Sequence, residues 1–298
     1  MKLRTFKNPI LSKIAGGGIV SLCAAMLLTF CAKDELDSAK LVRIGVPQQV
    51  SVGACLSQVE NPDKTTINSD GYVHWEGTDE IIVNNSVIGG ISINPTDPTW
   101  ATFEGMAGAI DETGYWGIFP TSIASRTASD YQKNSIKVTL PATQTFTSEA
   151  SSLPNCMVAY RETSGSLINL EFKNLCCFVK IPIKVGTHSA SPHSTITRME
   201  FSSSQNLSGT ASVSWNNGNP SMAFASGQNT VTLDLGSGIS IGSDPTVFSV
   251  MLPPGERTLT VRFYDGRGGG SKYMEKIVTA NFQRSTIYTM PVVEFNAQ

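Results

Sequence analysis

The sequence predicts an all-β protein, and three observations point to that fold class. Long runs with the 3.6-residue hydrophobic period of an amphipathic helix are absent. Short segments of β-branched and aromatic residues recur instead, separated by clusters of Gly, Pro, Asn, Asp and Ser. Charged residues make up only 15% of the chain, where about a quarter is usual. Together these features are typical of a β-sandwich or a β-barrel.

The first 30 residues form a predicted signal peptide. Residues 1–13 contain four basic residues and no acidic one, and residues 14–30 are mostly apolar. The alternative, a transmembrane anchor, would need about 20 apolar residues. Without this segment the mature chain would carry 18 basic and 24 acidic residues, a net charge of −6. Because no stretch concentrates Lys and Arg, nucleic acid is not an expected partner.

The end of this segment, "LLTFC", resembles the lipobox of bacterial lipoproteins. The resemblance implies cleavage between Phe30 and Cys31, followed by acylation of Cys31. Phe30 departs from the lipobox pattern, which has a small residue at this position. Acyl chains contribute about 0.8 kcal/mol per buried methylene and would hold the protein at a membrane. Residues 31–40, "CAKDELDSAK", would form a polar tether, and "KDELD" resembles the surface-export signal of Bacteroidetes lipoproteins.

Two later segments show the alternation of half-buried strands most clearly. In "VKIPIKV" (179–185) the odd positions are apolar, while Lys180 and Lys184 point to the opposite face. Pro182 in this run predicts a sheet edge or a bulge. "RTLTVRFY" (257–264) and a run through Ile277 flank a glycine-rich turn, which predicts a hairpin. Further strands are predicted at 80–83, 114–120, 135–141, 231–235 and 247–254.

The length of the mature chain, about 268 residues, favours two domains. The polar segment "RETSGS" (161–166) separates two sets of predicted strands. We therefore predict an N-terminal β-sandwich domain over 41–162 and a C-terminal β-sandwich domain over 166–298.

The sequence contains no recognisable catalytic or metal-binding constellation. "DGRGGGSK" (265–272) lacks the spacing of a phosphate-binding loop and is better explained as a hairpin turn. His188 and His193 are five residues apart with no nearby acid or cysteine, which disfavours a zinc site. Neither a nucleophile elbow nor a calcium-binding loop is present. We predict a protein that is not an enzyme and that binds no metal or cofactor.

The aromatic residues leave two interpretations open. The chain has four tryptophans, at Trp75, Trp100, Trp116 and Trp215. Widely spaced tryptophans in a β protein usually pack in the core or along a sheet edge, and we favour that interpretation. A glycan-stacking platform is the alternative.

Cys176 and Cys177 are neighbours in a predicted strand, so their side chains should point to opposite faces. They therefore cannot bind one ion together. We expect at least one of them to be a small buried hydrophobic residue. A disulfide from one of them to Cys55 or Cys156 stays as the alternative in an exported protein.

Several of the predicted strand segments occur in a recognisable order. They are "HWEGTDEIIV" (74–83), "VTLPATQTF" (138–146), "NCMVAY" (155–160), "LEFKNLCCFVKIPI" (170–183), "FSVMLPPG" (248–255) and "ANFQRSTIYTM" (280–290). Behind a lipobox, this series resembles the fimbrillin-like family of Bacteroidales surface lipoproteins, which includes fimbrial subunits. The resemblance extends over about 40–298.

The resemblance implies two tandem transthyretin-like Greek-key β-sandwich domains in a protein at the outer membrane. It also implies assembly by strand exchange, in which a protease cuts after an arginine beyond the first strand. The terminal strand of an incoming subunit then fills the open groove. The implied partners are other fimbrial subunits, the membrane through the lipid anchor, and surface ligands of host or bacterial cells.

Two features bear on this implied mechanism. The C-terminal "STIYTMPVVEFNAQ" is a candidate donor strand or simply the last strand, with Ile287, Val293 and Phe295 expected on one face. Between Arg43 in the first strand and Arg126 there is no arginine to cut, and Lys64 is the nearest basic residue. This departure favours an anchor or accessory subunit over a stalk subunit. The alternative function is that of a glycan-binding surface lipoprotein.

Overall fold

The computed structural model describes residues 48–56, 74–108, 114–124, 131–132, 135–146, 156–162, 167–186, 195–266 and 272–296. All of them belong to one compact unit, Leu41–Gln298. Cys31, its predicted cleavage site and the tether lie outside the described residues, as do Lys64, His188 and His193. Within the described part, no helix is long and apolar enough to cross a membrane.

The prediction of an all-β protein is confirmed, because strands account for nearly all regular structure in the described residues. The first half of the chain forms β1 (Gln48–Leu56), β2 (Ile81–Val83), β3 (Ser86–Ile88), β4 (Ile91–Ile93), β5 (Trp100–Ala107), β6 (Tyr115–Phe119), a 3-10 turn (Thr121–Ile123), β7 (Tyr131–Gln132), β8 (Ser135–Leu140) and β9 (Thr143–Thr145). The remainder forms β10 (Met157–Arg161), β11 (Leu167–Asn174), β12 (Cys177–Val185), β13 (Thr195–Ser202), β14 (Ser208–Asn216), β15 (Asn219–Gln228), β16 (Thr230–Ser240), β17 (Thr246–Leu252), β18 (Gly255–Tyr264), β19 (Tyr273–Phe282), β20 (Ile287–Thr289) and β21 (Val293–Phe295).

The first hydrophobic core lies between two sheets. Within the described residues, one sheet has eight strands in the order β3-β2-β6-β10-β11-β1-β5-β4, and the other has the order β15-β14-β8-β7. Apolar side chains from both sheets form a single buried cluster, to which Val52, Phe103, Phe172 and Val213 belong. This arrangement is a β-sandwich, and we call its interior the first core.

A second core lies between two further sheets. One has the order β17-β12-β20, with β21 also on β12, and the other has the order β19-β18-β13-β16-β9. Ile181, Phe201, Phe248 and Phe263 are among the buried residues of this second core. The predicted hairpin around the glycine-rich turn is confirmed, since β18 and β19 pair antiparallel over their whole length.

Among the described residues, sheet pairing crosses the predicted domain border at 162–166 in four places. β11 pairs with both β1 and β10, β14 pairs with β8, and β16 pairs in parallel with β9. Gln144 in β9 adds a link to β17: its side-chain amide donates to the Met251 carbonyl at 2.8 Å and accepts from the Met251 N–H at 2.9 Å. The two domain ranges, and the transthyretin-like topology, stay predictions.

β12 lies between the two cores. Every residue from Cys177 to Ile183 is buried, with Phe178 in the first core and Val179 in the second. The expectation of one buried face was therefore wrong for this strand. Pro182 is not at a sheet edge, because β12 has β17 on one side and β20 and β21 on the other. The chain between β20 and β21 bulges beside Pro182, which agrees with the second predicted possibility, a bulge.

Candidate functional site

The first described strand lies inside a sheet and has a neighbour on each side. β1 runs antiparallel to β5, from Gln48 opposite Ala107 to Cys55 opposite Trp100. On its other side it runs parallel to β11, ending with Leu56 opposite Phe172. If β1 left this position, both neighbours would expose unpaired backbone groups along the same slot. We call this slot, bounded by β5 and β11, the first-strand groove.

The side chains of β1 alternate between a buried and a more open face. Val50, Val52, Ala54 and Leu56 are 2%, 0%, 0% and 4% exposed, and all four face the first core. Gly53 and Cys55, on the other face, are only partly buried. Departure of β1 would thus empty four apolar positions in a row. Unpaired backbone with pockets for alternate side chains is the geometry required for β-augmentation.

Trp75 contacts β1 from the side of the first core and hydrogen-bonds to its backbone. Its indole N–H donates to the carbonyl oxygen of Ala54 at 3.3 Å. The ring makes edge contacts with Phe103, Phe119 and Phe172, at centroid distances of 5.1, 5.0 and 5.6 Å. Trp75 is only 3% exposed, so it is a packing residue, as the favoured interpretation of the tryptophans predicted.

The C-terminal segment forms a sheet edge along β12. β20 and β21 both pair in parallel with β12. Its start is held by Arg284, which donates to the Asn174 carbonyl at 2.9 Å. Its end is held by the N–H of Gly186, which donates to the Phe295 carbonyl at 2.8 Å. In this structure the segment is the last strand of its own sheet, and its role as a donor stays a prediction.

The expectation that Ile287, Val293 and Phe295 share one face was wrong. Ile287 lies in the first core, whereas Val293 and Phe295 lie in the second. Lys180 is opposite Thr289 and Ile183 is opposite Val293, so the C-terminal segment contains one more residue than β12 over this stretch. One extra residue reverses the faces of all the residues that follow.

The other tryptophans do not form an open platform together. Trp116 is 3% exposed, and its ring stacks on Tyr160 at a centroid distance of 6.5 Å. Tyr160 also contacts the partly buried Trp215 at 5.4 Å. Trp100 is partly buried in β5, opposite Cys55. Because Trp75 and Trp116 are buried, neither has an open ring face for a sugar.

The adjacent cysteines point into different cores, as their strand positions predicted. Cys176 is 1% exposed in the first core, and Cys177 is 0% exposed in the second. Cys177 donates its S–H to the Leu252 carbonyl at 3.2 Å, and burial raises the pKa of its thiol. A hydrogen bond with Cys156, together with burial, raises the pKa of the Cys176 thiol. Both are therefore protonated, apolar side chains near neutral pH.

In this structure no disulfide joins the described cysteines, which are Cys55, Cys156, Cys176 and Cys177. Among the described residues, no group of three or more His, Cys, Asp or Glu side chains is arranged to hold a metal ion.

The sequence analysis did not predict the hydrogen bond from Trp75 to β1 or the position of β1 between β5 and β11. Neither leaves a local signal, because the partners are far apart in the chain.

Comparison with known proteins finds similar proteins among the solved structures. No protein-family model and no curated protein matches the chain. A "putative cell adhesion protein" from Bacteroides ovatus is 12% identical, with a TM-score of 0.45 over 85% of this chain and 95% of its own. A protein of the same name from Bacteroides uniformis is 11% identical, with a TM-score of 0.42 over 84% and 94%. A fimbrial protein from Bacteroides vulgatus is 7% identical, with a TM-score of 0.36 over 84% and 98%.

Because each of these TM-scores is below 0.5, the functional proposal depends on the sequence and on the strand geometry instead.

Proposed function

We propose that this protein is a non-enzymatic structural or adhesion subunit of a bacterial surface fimbrium. It is held at the outer membrane through acylated Cys31 and joins other subunits by β-strand exchange. The observation that carries the proposal is the position of β1, the first described strand, which has paired neighbours on both sides and a row of buried apolar residues on one face.

The first-strand groove supplies both parts of strand recognition. The facing backbones of β5 and β11 supply hydrogen-bond donors and acceptors, which give affinity whatever the incoming sequence. The positions of Val50, Val52, Ala54 and Leu56 supply apolar pockets, which select a strand with apolar residues at alternate positions. An incoming strand in the register of β1 would also receive the indole N–H of Trp75 at the position of Ala54.

The absence of arginine between Arg43 and Arg126 favours a subunit that keeps its first strand. Such a subunit stays attached to its lipid and closes its own groove. It would contribute its C-terminal segment to a neighbour without accepting a strand itself. This is the role of an anchor or accessory subunit at the base of a fimbrium.

The strand-exchange step is tested with a variant that carries a site-specific protease sequence inserted at Lys64. After cleavage, a labelled peptide of residues 284–298 should bind in place of β1 and compete with a peptide of residues 48–56. A peptide with Val293→Asp and Phe295→Asp is the matched control and should not bind. If the cut protein releases β1 and still captures neither wild-type peptide, strand exchange is wrong.

The anchor is tested in cells by comparing the full chain with Cys31→Ala. Acylation at Cys31 predicts that the wild-type protein is found in the outer-membrane fraction with a lipid-modified N-terminal cysteine. The variant should be absent from that fraction. A mature N-terminus beyond residue 60 would instead indicate a processed stalk subunit.

A further inference from the structure

The start of β10 and the turn between β11 and β12 bring two cysteines together. Met157 is opposite Asn174 in the antiparallel pair of β10 and β11. One step further along the same ladder, the N–H of Leu175 donates to the carbonyl oxygen of Cys156 at 2.7 Å. Cys176 follows directly in the chain, and its side chain is buried in the same first core as that of Cys156.

From this juxtaposition we infer that Cys156 and Cys176 are a modification site, and that they form an intramolecular disulfide when the protein folds in an oxidising compartment. Leu175 is the residue directly opposite Cys156, and Cys176 is offset from it by one residue. Opposite Cα atoms about 4.5–5.5 Å apart and a rise of about 3.4 Å per residue give a separation of about 6 Å for Cys156 and Cys176, within the range of about 4.4–6.8 Å that a disulfide needs. Both side chains are buried, at 0% and 1% exposure, in the same first core.

The other described cysteines are placed where they cannot compete for this bond. Cys177 points into the second core, with its S–H on the Leu252 carbonyl. Cys55 lies in β1, on the face opposite Val52 and Ala54, which point into the first core. The pairing is therefore specific to Cys156 and Cys176.

The bond forms by thiol–disulfide exchange with the disulfide of another molecule, either a small disulfide or an oxidised dithiol protein. The thiolate of one cysteine attacks the external disulfide and displaces one of its sulfurs as a thiolate. The second cysteine then attacks the mixed disulfide and displaces the other sulfur. The protein loses two thiol protons and two electrons, and the external disulfide gains them as two thiols. Because both native thiols are buried, exchange must take place before the first core closes.

The crosslink would fasten β10 to the turn that follows β11. β11 forms one wall of the first-strand groove, so the bond would hold that wall in place while β1 is absent. This consequence rests on the proposed function, whereas the existence of the bond does not. Closing a loop of about 20 residues should change the unfolding equilibrium constant on the order of 100-fold.

The test is to unfold the full chain, refold it in a mixture of reduced and oxidised glutathione, and block the remaining thiols with iodoacetamide. Tryptic digestion without reduction should then yield one linked pair of peptides, residues 138–161 and 174–180. The pair should persist in Cys177→Ala and Cys55→Ala and vanish in Cys176→Ala. Refolding in dithiothreitol should give no linked pair and a lower urea midpoint.

Two results would overturn the inference. One is complete alkylation of Cys156 and Cys176 after refolding in glutathione, and the other is a linked pair that survives Cys176→Ala. If a variant does not refold, the same peptide map is made on wild-type protein from the cell envelope. A linked pair there supports the bond, and two alkylated cysteines refute it. If the first-strand groove does not bind the peptides, strand exchange is wrong, but the disulfide peptide map is unaffected. The two proposals can therefore be refuted independently.

Discussion

Shortening Val52 to alanine tests whether β1 belongs to the first core as the structure places it. Val52 is 0% exposed and lies between Phe103 on β5 and Ile168 on β11, both of which are also 0% exposed. The substitution removes two buried methyl groups, a transfer cost of about 1.5 kcal/mol at about 0.8 kcal/mol for each carbon. A closely packed site cannot collapse fully around the gap, so the total cost should be about 2–3 kcal/mol.

The measurement is urea unfolding followed by tryptophan fluorescence, which reports on the ring of Trp75 in the first core. Ser51→Ala is the matched control, because Ser51 is a neighbour in β1 on the opposite face and its hydroxyl only donates to the exposed Glu104, at 2.7 Å. The control should change stability by no more than about 0.5 kcal/mol. If Val52→Ala costs no more than Ser51→Ala at an unchanged m-value, β1 is not packed in the first core, and the groove does not exist.

Two further substitutions test the packing around the groove and the link between sheets. A Cβ atom at Gly117 in β6 would lie 2.6 Å from Cζ of Phe172, so Gly117→Val should cost about 1–3 kcal/mol in urea unfolding. Gly77→Ala, with no atom within 4 Å of the new Cβ, should be close to neutral, and equal costs for the two would contradict the packing. Gln144→Leu removes both hydrogen bonds to the β17 backbone and should cost about 2–4 kcal/mol. Gln228→Leu, at an exposed position, is its control, and a loss below about 0.5 kcal/mol at Gln144 would show that this link is not stabilising.

The alternation of apolar and polar residues was enough to predict strands, but not which strands pair with each other. The β18–β19 hairpin was predictable because its strands are joined by a short glycine-rich turn, which fixes them as neighbours. The neighbours of β1 were not predictable, because Ser51 pairs with Leu167 across more than a hundred residues. A period of two residues indicates which side chains share a face, but it carries no information about which distant strand completes the sheet.

In the candidate site, too, some features were predictable from the local sequence and others depend on pairing with a distant strand. The apolar character of the C-terminal segment was visible in the sequence, and its burial follows from it. The reversal of faces between Ile287 and Val293 depends on one extra residue beside Pro182 in a different strand. Proline has no N–H to continue the ladder, so the neighbouring chain can bulge there at little cost. The bulge depends on both strands together, so the sequence of either strand alone does not predict it.

The first described strand and the C-terminal segment differ in how firmly they are held, and this difference bears on which of them would be exchanged in the proposed assembly. β1 has ladder neighbours on both sides and a row of buried side chains, so its departure would break two ladders and open the first core. Among the described strands, the segment β20–β21 pairs only with β12, and this ladder is interrupted beside Pro182. Removing an interrupted edge strand breaks fewer hydrogen bonds than removing a central one. If the proposed strand exchange takes place, this structure is therefore better suited to extending the C-terminal segment into a neighbour than to releasing the first strand without a cut. This conclusion agrees with the anchor role that the missing arginine favours.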